Sequence, residues 1–323
     1  MMVRIAGYIS GNTVEIAKVR EKKGGFELFE VESYVSKQFT NFKSILNLYL
    51  KKNTDKLSTA CFGVAGPVIQ NKVDTTNLPW HIIGEKIESD FSFKKVKLVN
   101  DIVSTAYGLS QLGPDKFFII NKGKKTDNGN IGLIAAGTGL GEALIYSDGR
   151  KFYPYASEGG HADFAPGNQL EAELWAYLYS VQGQVEVEDI VSLSGLERIF
   201  NFLAENHGWK KTRWFEESPD RPSDILEMAL QGEDTRAVET LDLFIDCYAS
   251  EAANLALKGM TLGGIYIGGL IAPQIITALD KGRFMQRFVK KGKMESLLAK
   301  MPVGIIIEAK TPLLGAAGIT LDM

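Results

Sequence analysis

Apolar and polar positions along the first third of the chain predict a group of strands followed by alternating helices and strands. Residues 3–9 and 14–19 flank a short polar turn at 10–13, which is a hairpin signal. Near 41–50 the apolar side chains fall on one face of a helix. The further strands predicted in this part are 26–34, 60–65 and 96–99, and a helix is predicted to begin at 101.

The rest of the chain starts in the same way, with strands that meet at a turn of small residues, and continues into helices. The predicted strands are 117–120, 131–136, 143–147, 265–267 and 303–307, and the predicted helices are 170–179, 196–205, 223–231, 235–257 and a C-terminal helix after Pro312. Ser223 fits the N-cap of the third of these helices. The same order of elements thus occurs twice, which predicts two α/β domains of related shape around a cleft.

Length and composition agree with two ordinary globular domains. The chain has 323 residues, of which 45% are hydrophobic and 23% charged, whereas one domain holds about 100–200 residues. With 36 basic and 39 acidic residues, the net charge is -3, so there is no broad positive field for nucleic acid or an anionic membrane. Only Cys61 and Cys247 carry thiols, which excludes a disulfide scaffold and a zinc site of several thiolates. We expect a reduced, cytoplasmic location.

Glycine is in excess, and one cluster of it is a candidate ligand site. The 33 glycines are about a tenth of the chain, against a usual share of ~7%. Gly137-Thr138-Gly139-Leu140-Gly141 joins two predicted strands, so it is not the dinucleotide fingerprint, which opens a helix, and it lacks the lysine of a Walker P-loop. Two interpretations are left: a turn whose amides face an anion, or an ordinary glycine-rich hairpin.

Three other short segments carry polar or glycine residues where a site could form. Asn100-Asp101 follows a strand and opens a helix, so it is either an N-cap or the place of an aspartate that accepts a proton from a hydroxyl. The loop with Glu158, His161 and Asp163 makes zinc a candidate, but no H-x-x-x-H motif or cysteine lies near it, and the three side chains suit hydrogen bonds to a polyhydroxylated ligand equally well. Gly268-Gly269 after an apolar strand either lets a flat ring approach the backbone or is a plain junction.

Together these segments resemble the bacterial glucokinase family, within the sugar kinase, actin and Hsp70 superfamily, over nearly the whole chain. The most specific match is Glu158-Gly159-Gly160-His161-Ala162-Asp163-Phe164-Ala165-Pro166. Glu188, ahead of 191–195, looks like a further acid that contacts the sugar. The other matching segments are 61–68, 76–80, 98–101, 136–141, 267–270 and 313–318.

The resemblance implies a fold, a reaction and a set of site residues. The fold would be two actin-like ATPase (ribonuclease H-like) α/β domains around a central cleft, a small one at 1–110, completed by the C-terminal helix at about 304–323, and a large one at 111–303. The reaction would be ATP-dependent phosphorylation of the 6-hydroxyl of glucose, with Asp101 as base, Mg²⁺ on the phosphates and a homodimeric enzyme. The sugar-binding residues would be Asn77, Asn100, Asp101, Glu158, His161 and Glu188, and the nucleotide-binding ones Gly7, Ser10, Gly11, Asn12, Gly137, Thr138, Gly139, Gly268 and Gly269.

One segment departs from the family's pattern. The first phosphate motif of the family has an aspartate, a spacer and two glycines, whereas this chain has Tyr8 in place of the aspartate and Ser10 in place of the first glycine. A tyrosine carries no charge at neutral pH, and a serine side chain stands where backbone would approach phosphate. Two interpretations follow: a working glucokinase, favoured by Asp101, or a glucose-binding homologue with weak or absent kinase activity, a sensor or scaffold, favoured by Tyr8 and Ser10.

Overall fold

The computed structural model describes residues 2–51, 55–76, 78–210 and 212–323. The chain forms two compact units. The first unit consists of Met1–Lys116 and Glu308–Met323, and the second unit is Phe117–Ile307.

The predicted strands and helices are present among the described residues, but the structure adds elements that the sequence pattern did not predict: strands at 72–74, 81–83 and 152–157, and helices at 84–91, 213–217, 276–279, 283–289 and 295–298. The strands are β1 (Met2–Ile9), β2 (Thr13–Lys22), β3 (Gly25–Val35), β4 (Lys56–Val64), β5 (Lys72–Asp74), β6 (His81–Ile83), β7 (Lys95–Asn100), β8 (Phe117–Asn121), β9 (Ile131–Ala136), β10 (Leu140–Ser147), β11 (Phe152–Ser157), β12 (Gly264–Gly269) and β13 (Val303–Ile306). The helices are α1 (Phe42–Leu50), α2 (Gly84–Phe91), α3 (Asp101–Leu109), α4 (Gln169–Gln182), α5 (Leu193–His207), α6 (Arg213–Glu217), α7 (Arg221–Gln231), α8 (Thr235–Gly259), α9 (Ile276–Leu279), α10 (Arg283–Val289), α11 (Glu295–Leu298) and α12 (Thr311–Leu321).

In the first unit, a sheet with the strand order β3-β2-β1-β4-β7 separates two layers of helices. β1, β2 and β3 are antiparallel neighbours, whereas β4 and β7 continue the sheet in parallel with β1. One face packs against α1, where the rings of Phe42 and Phe62 lie edge to face with centroids 4.9 Å apart. The other face packs against the apolar side of α12, so successive residues of β1 contact different layers.

In the second unit, a sheet with the order β11-β10-β9-β12-β13-β8 repeats this arrangement. β9, β10 and β11 are antiparallel, β12 and β13 follow in parallel, and β8 is added at the edge in antiparallel orientation. The long helix α8 lies in the core of this unit, and its Tyr248 is fully buried. The prediction that one order of elements occurs twice is therefore confirmed.

Helices α3 and α12 approach each other so closely that glycine is required in both. A methyl group at Gly315 would clash with the carbonyl oxygen of Ser104, and one at Gly108 with that of Thr311. Neither glycine has a positive φ angle, so close packing, not backbone conformation, explains them. Part of the glycine excess therefore serves helix packing.

Several predicted bounds differ from the structure, such as the start of β10 at Leu140 instead of 143, and two further differences concern a helix N-cap and the chain before α12. Helix α7 starts at Arg221 with Asp220 as N-cap, not with Ser223, because Pro222 lacks an amide hydrogen and fits the first helical turn. Residues 304–306 belong to β13, which pairs with β12 and β8, so they lie in the second unit and not with the C-terminal helix.

Candidate functional site

Asn100 and Asp101 stand where β7 ends and α3 begins. Asn100 is the N-cap, because its Oδ1 accepts a hydrogen bond from the Ile102 amide at 3.0 Å. Its Nδ2 donates to the Gly66 carbonyl at 3.1 Å, which ties this junction to the loop after β4. Asp101 is the first helical residue, is half-buried, and its Oδ1 accepts from the Ile102 amide at 2.8 Å. The capping role thus belongs mainly to Asn100.

The turn between β1 and β2 is held together by the hydroxyl of Ser10. Ser10 Oγ accepts hydrogen bonds from the amides of Thr13 at 3.0 Å and Asn12 at 3.4 Å. It also lies 3.0 Å from the Thr13 carbonyl oxygen, to which it donates. The amides that an anion at this turn would need are therefore engaged by a side chain of the turn itself.

Tyr8 and Gly7 face opposite sides of the sheet in β1. Tyr8 lies opposite Glu15 and Gly63 in the two neighbouring strands. Burial, and then the negative charges of Asp101 and Glu15, raise the pKa of the Tyr8 hydroxyl well above its ordinary value, so it stays neutral. A methyl group at Gly7 would lie 2.6 Å from the ring of Phe62, which gives Gly7 a packing reason of its own.

The two other predicted nucleotide motifs lie side by side in the second unit. β9 and β12 are parallel, and Gly269 at the end of β12 lies opposite Ala136 at the end of β9. The turn after β9 is closed by a hydrogen bond from the Gly137 amide to the Gly139 carbonyl at 2.8 Å, and Thr138 is exposed at its tip. Gly269 has a φ of 86°, which favours glycine. The structure thus brings these motifs together at the carboxyl ends of two neighbouring parallel strands.

Tyr248, which the sequence did not indicate as a site residue, fixes the start of this turn. Its hydroxyl accepts a hydrogen bond from the Ala136 amide at 3.2 Å and lies 3.4 Å from the Ile134 carbonyl. Since its side chain is fully buried in the core, the turn is anchored to α8 through one phenol group. Burial raises the pKa of Tyr248 far above working pH.

The predicted sugar loop is a 3₁₀ turn, Gly159–His161, that pairs with the segment before α5. The Val187 amide donates to the Ala162 carbonyl at 3.0 Å. His161 Nδ1 lies 2.7 Å from Glu186 Oε2, and this hydrogen bond is the main reason why the pKa of His161 is raised. The charges of Glu188, Glu186 and Glu158 act in the same direction. The loop therefore places an imidazole, whose protonated form is favoured by its surroundings, among carboxylate acceptors.

Glu188 connects this sugar loop to the glycine turn after β9. Its amide donates to the Gly160 carbonyl at 2.9 Å, and its Oε2 accepts from the Leu140 amide at 2.7 Å. A methyl group at Gly139 would lie 2.5 Å from the same oxygen. Segments predicted for the sugar and for phosphate therefore meet at one side chain.

Glu186 was missed by the sequence analysis, although a signal for it exists. In Val185-Glu186-Val187-Glu188 apolar and acidic residues alternate, and both valines are buried. In an extended segment such alternation places both acids on the side opposite the valines. Asn77, which was predicted to bind the sugar, lies outside the described residues.

The predicted Mg²⁺ would have to be carried by the nucleotide and not by a cluster of protein side chains. Within those residues, no group of three or more His, Cys, Asp or Glu side chains could hold a metal ion. Mg²⁺ is commonly bound by substrate phosphates, waters and one or two carboxylates, so a metal carried by the nucleotide needs no such group. Neutral Tyr8 does not fit as a ligand. Among the helices described, none is long and apolar enough to cross a membrane.

Comparison with known proteins gives a consistent result over the full length. The glucokinase family model matches residues 5–323. A glucokinase from Synechocystis sp. is 34% identical over 97% of this chain and 96% of its own, and one from Trichormus variabilis is 36% identical over 98% of both. The crystal structure of a glucokinase from an Antarctic psychrotroph is similar over 100% of both chains, with a TM-score of 0.86 and 28% identity.

Proposed function

Because the chain belongs to the glucokinase family, we propose that it catalyses the ATP-dependent transfer of a phosphoryl group to the 6-hydroxyl of glucose. The resemblance predicted from the sequence motifs is confirmed by the family match. The expected fold of two actin-like α/β domains is confirmed as well, by the repeated sheet order and by the likeness to a solved glucokinase.

The contact of Glu188 with both the sugar loop and the glycine turn is the observation that carries this proposal. Its backbone holds Gly160 and its carboxylate holds the Leu140 amide. A sugar at the loop and a phosphate at the turn would therefore be neighbours. Direct transfer between two bound molecules requires this proximity.

In this proposal, Glu158 and Glu188 accept hydrogen bonds from sugar hydroxyls, and His161 donates one. A sugar with a misplaced hydroxyl would leave one of these polar groups unpaired, which is costly and selects the stereochemistry. Asn100 and Asn77 complete the sugar-binding set on the strength of the family motifs.

Asp101 is proposed as the base that accepts the proton of the 6-hydroxyl. ATP would be bound by the three glycine-containing segments, with Mg²⁺ neutralising charge on its phosphates. The nucleotide-binding positions of this proposal are Gly7, Ser10, Gly11, Asn12, Gly137, Thr138, Gly139, Gly268 and Gly269, with the Ser10 hydroxyl displaced from the amides of its turn when phosphate binds. A homodimer and a cytoplasmic location are proposed from family membership alone.

The second candidate function is glucose binding with weak or absent transfer. Two observations favour it: the Ser10 hydroxyl engages the amides of the first phosphate turn, and Tyr8 supplies a neutral phenol where the family has a carboxylate. Both substitutions lie in the segment predicted to bind nucleotide, and neither lies in the sugar loop. Glucose affinity would then be retained while turnover is low.

An ADP-release assay over a panel of hexoses, with and without Mg²⁺, separates the two functions when combined with glucose calorimetry. Glucose-dependent, Mg²⁺-dependent ADP formation supports the kinase. Glucose binding without turnover supports the second candidate. If the protein shows no glucose binding and no turnover, both candidate functions are contradicted.

The variant Asp101→Asn tests the base. Asparagine keeps an oxygen that can accept from the Ile102 amide, but it cannot accept the proton. We expect kcat to fall by about 100-fold or more with glucose affinity within about threefold of the parent. Asp115→Asn, at an exposed aspartate of the same unit, is the matched control and should behave as the parent. Near-normal turnover of Asp101→Asn would remove Asp101 as the base.

A further inference from the structure

A buried carboxyl group lies directly beneath the sugar loop. Glu142, in β10, has 2% of its surface exposed. A methyl group at Gly159 would clash with Glu142 Oε2 and lie 2.8 Å from its carboxyl carbon. Within the described residues, Glu142 Oε1 is buried without a hydrogen-bond partner. The carboxyl group therefore fills the space between the sheet and the loop backbone.

The charged groups that face Glu142 come from α8. Glu251 is 6% exposed and repels a negative charge on Glu142, whereas Lys258 attracts one. Lys258 Nζ lies 3.4 Å from Glu251 Oε1, and its side chain is 59% exposed, so its ion pair is with Glu251 and not with Glu142. Asn254 Nδ2 donates to the other oxygen of Glu251 at 2.8 Å.

Ionisation of Glu142 is unfavourable in these surroundings. Burial, and then the charge of Glu251, raise the pKa of Glu142 to about 8. At neutral pH the group is therefore a neutral carboxylic acid, while an ionised carboxylate would be buried without a partner for one oxygen, which is costly. Water or a rearranged backbone would have to satisfy it.

We propose that Glu142 is a positioning residue for the sugar loop, and that the loop binds glucose in the arrangement described only while the Glu142 carboxyl carries a proton. The loop backbone at Gly159 lies against this carboxyl, directly after Glu158 and two residues before His161 in the same short turn. Movement of Gly159 to hydrate a carboxylate would displace both of these side chains. The inference rests on the proposed function, since it assumes that the loop binds glucose.

The expected effect is a loss of glucose affinity at alkaline pH. If only the protonated form binds, the apparent Kd is inversely proportional to the protonated fraction. With a pKa of about 8, the Kd rises about tenfold between pH 7 and pH 9. The kcat at saturating glucose changes little over this range, because the sugar then drives the loop into its binding arrangement.

Three variants identify the group that titrates, with glucose calorimetry of the full chain from pH 6.5 to pH 9 as the readout. Glu142→Gln supplies a neutral side chain of the same shape, so its Kd should lack the tenfold rise and match the parent at pH 7. Glu251→Gln removes a repelling charge, so the rise should begin at lower pH. Glu173→Gln, at an exposed glutamate of α4, should follow the parent. The titration of His161 is common to all four proteins and cancels in the ratio of variant to parent Kd.

Each of these measurements has an outcome that overturns the proposal. A tenfold rise that persists in Glu142→Gln, or a parent Kd that is flat up to pH 9, overturns the positioning role while leaving the kinase intact. If Glu142→Gln does not fold, an unshifted transition in Glu251→Gln overturns it equally. No glucose binding or turnover by the parent at pH 7 would instead contradict the proposed function and, with it, this inference.

Discussion

Removal of the Ser10 hydroxyl should increase the affinity for ATP. In the turn between β1 and β2, this hydroxyl accepts from the amides of Thr13 at 3.0 Å and Asn12 at 3.4 Å. A phosphate that binds the same amides must first displace the hydroxyl. Ser10→Ala deletes the competitor and keeps the Cβ, whereas Ser10→Gly also opens space above the backbone.

The size of the effect follows from the bonds that must be broken. A neutral hydrogen bond contributes about 0.5–1.5 kcal/mol net, and the longer bond to Asn12 contributes less than the one to Thr13. Release of both amides thus costs about 1–2 kcal/mol, which corresponds to about a 5- to 30-fold change in affinity. Ser10→Gly gains less from this source, because glycine loses about 0.5–1 kcal/mol more in backbone entropy when the turn is ordered.

Calorimetry with a non-hydrolysable ATP analogue at saturating glucose measures the change, and the KM for ATP checks it in turnover. Ser89→Ala, which removes an exposed hydroxyl bonded within α2, is the control and should leave ATP affinity unchanged. A gain in Ser10→Ala together with a smaller gain in Ser10→Gly identifies the hydroxyl as the obstacle. A gain in Ser10→Gly alone assigns the obstacle to the Cβ. If both variants stay within twofold of the parent, the amides of this turn are not phosphate ligands and the argument is wrong.

Three further substitutions test other parts of the site and core. Glu186→Gln should lower the pKa of His161, because it removes the main cause of the increase. The variant should therefore be less stable than the parent at low pH, where His161 is protonated. This difference in the free energy of unfolding should disappear as the pH rises through the pKa of His161 in the folded parent. NMR titration of the three histidines measures this pKa, and an unchanged pKa contradicts the prediction. Tyr248→Phe leaves the Ala136 amide without its side-chain partner, and should reduce the free energy of unfolding in urea by about 1–3 kcal/mol. Gly315→Ala forces α3 and α12 apart, at a cost of about 1–3 kcal/mol by the same measurement; a parent-like midpoint for either core variant would refute its contact argument.

The sequence by itself determined those features that depend on neighbours along the chain. Strand β9 and the start of α3 at Asp101 agree with the prediction, because alternation and capping are set by residues a few positions apart. The family motifs likewise are local strings, so they indicated the site segments without any structure. The N-cap of α7 was placed wrongly because both Asp220 and Ser223 are good caps.

Only the tertiary structure decided which of these residues contact each other and what their surroundings do to them. Glu186 reaches His161 across 25 positions of sequence, and Glu142 is buried by a loop and by α8, so neither effect is visible in the local string. The roles of individual glycines also become visible only in the structure. Gly139 lies against the carboxylate of Glu188, whereas Gly315 allows α12 to pack closely against α3. The physical reason is that burial, charge proximity and steric exclusion are set by distances in space, which a one-dimensional pattern does not contain.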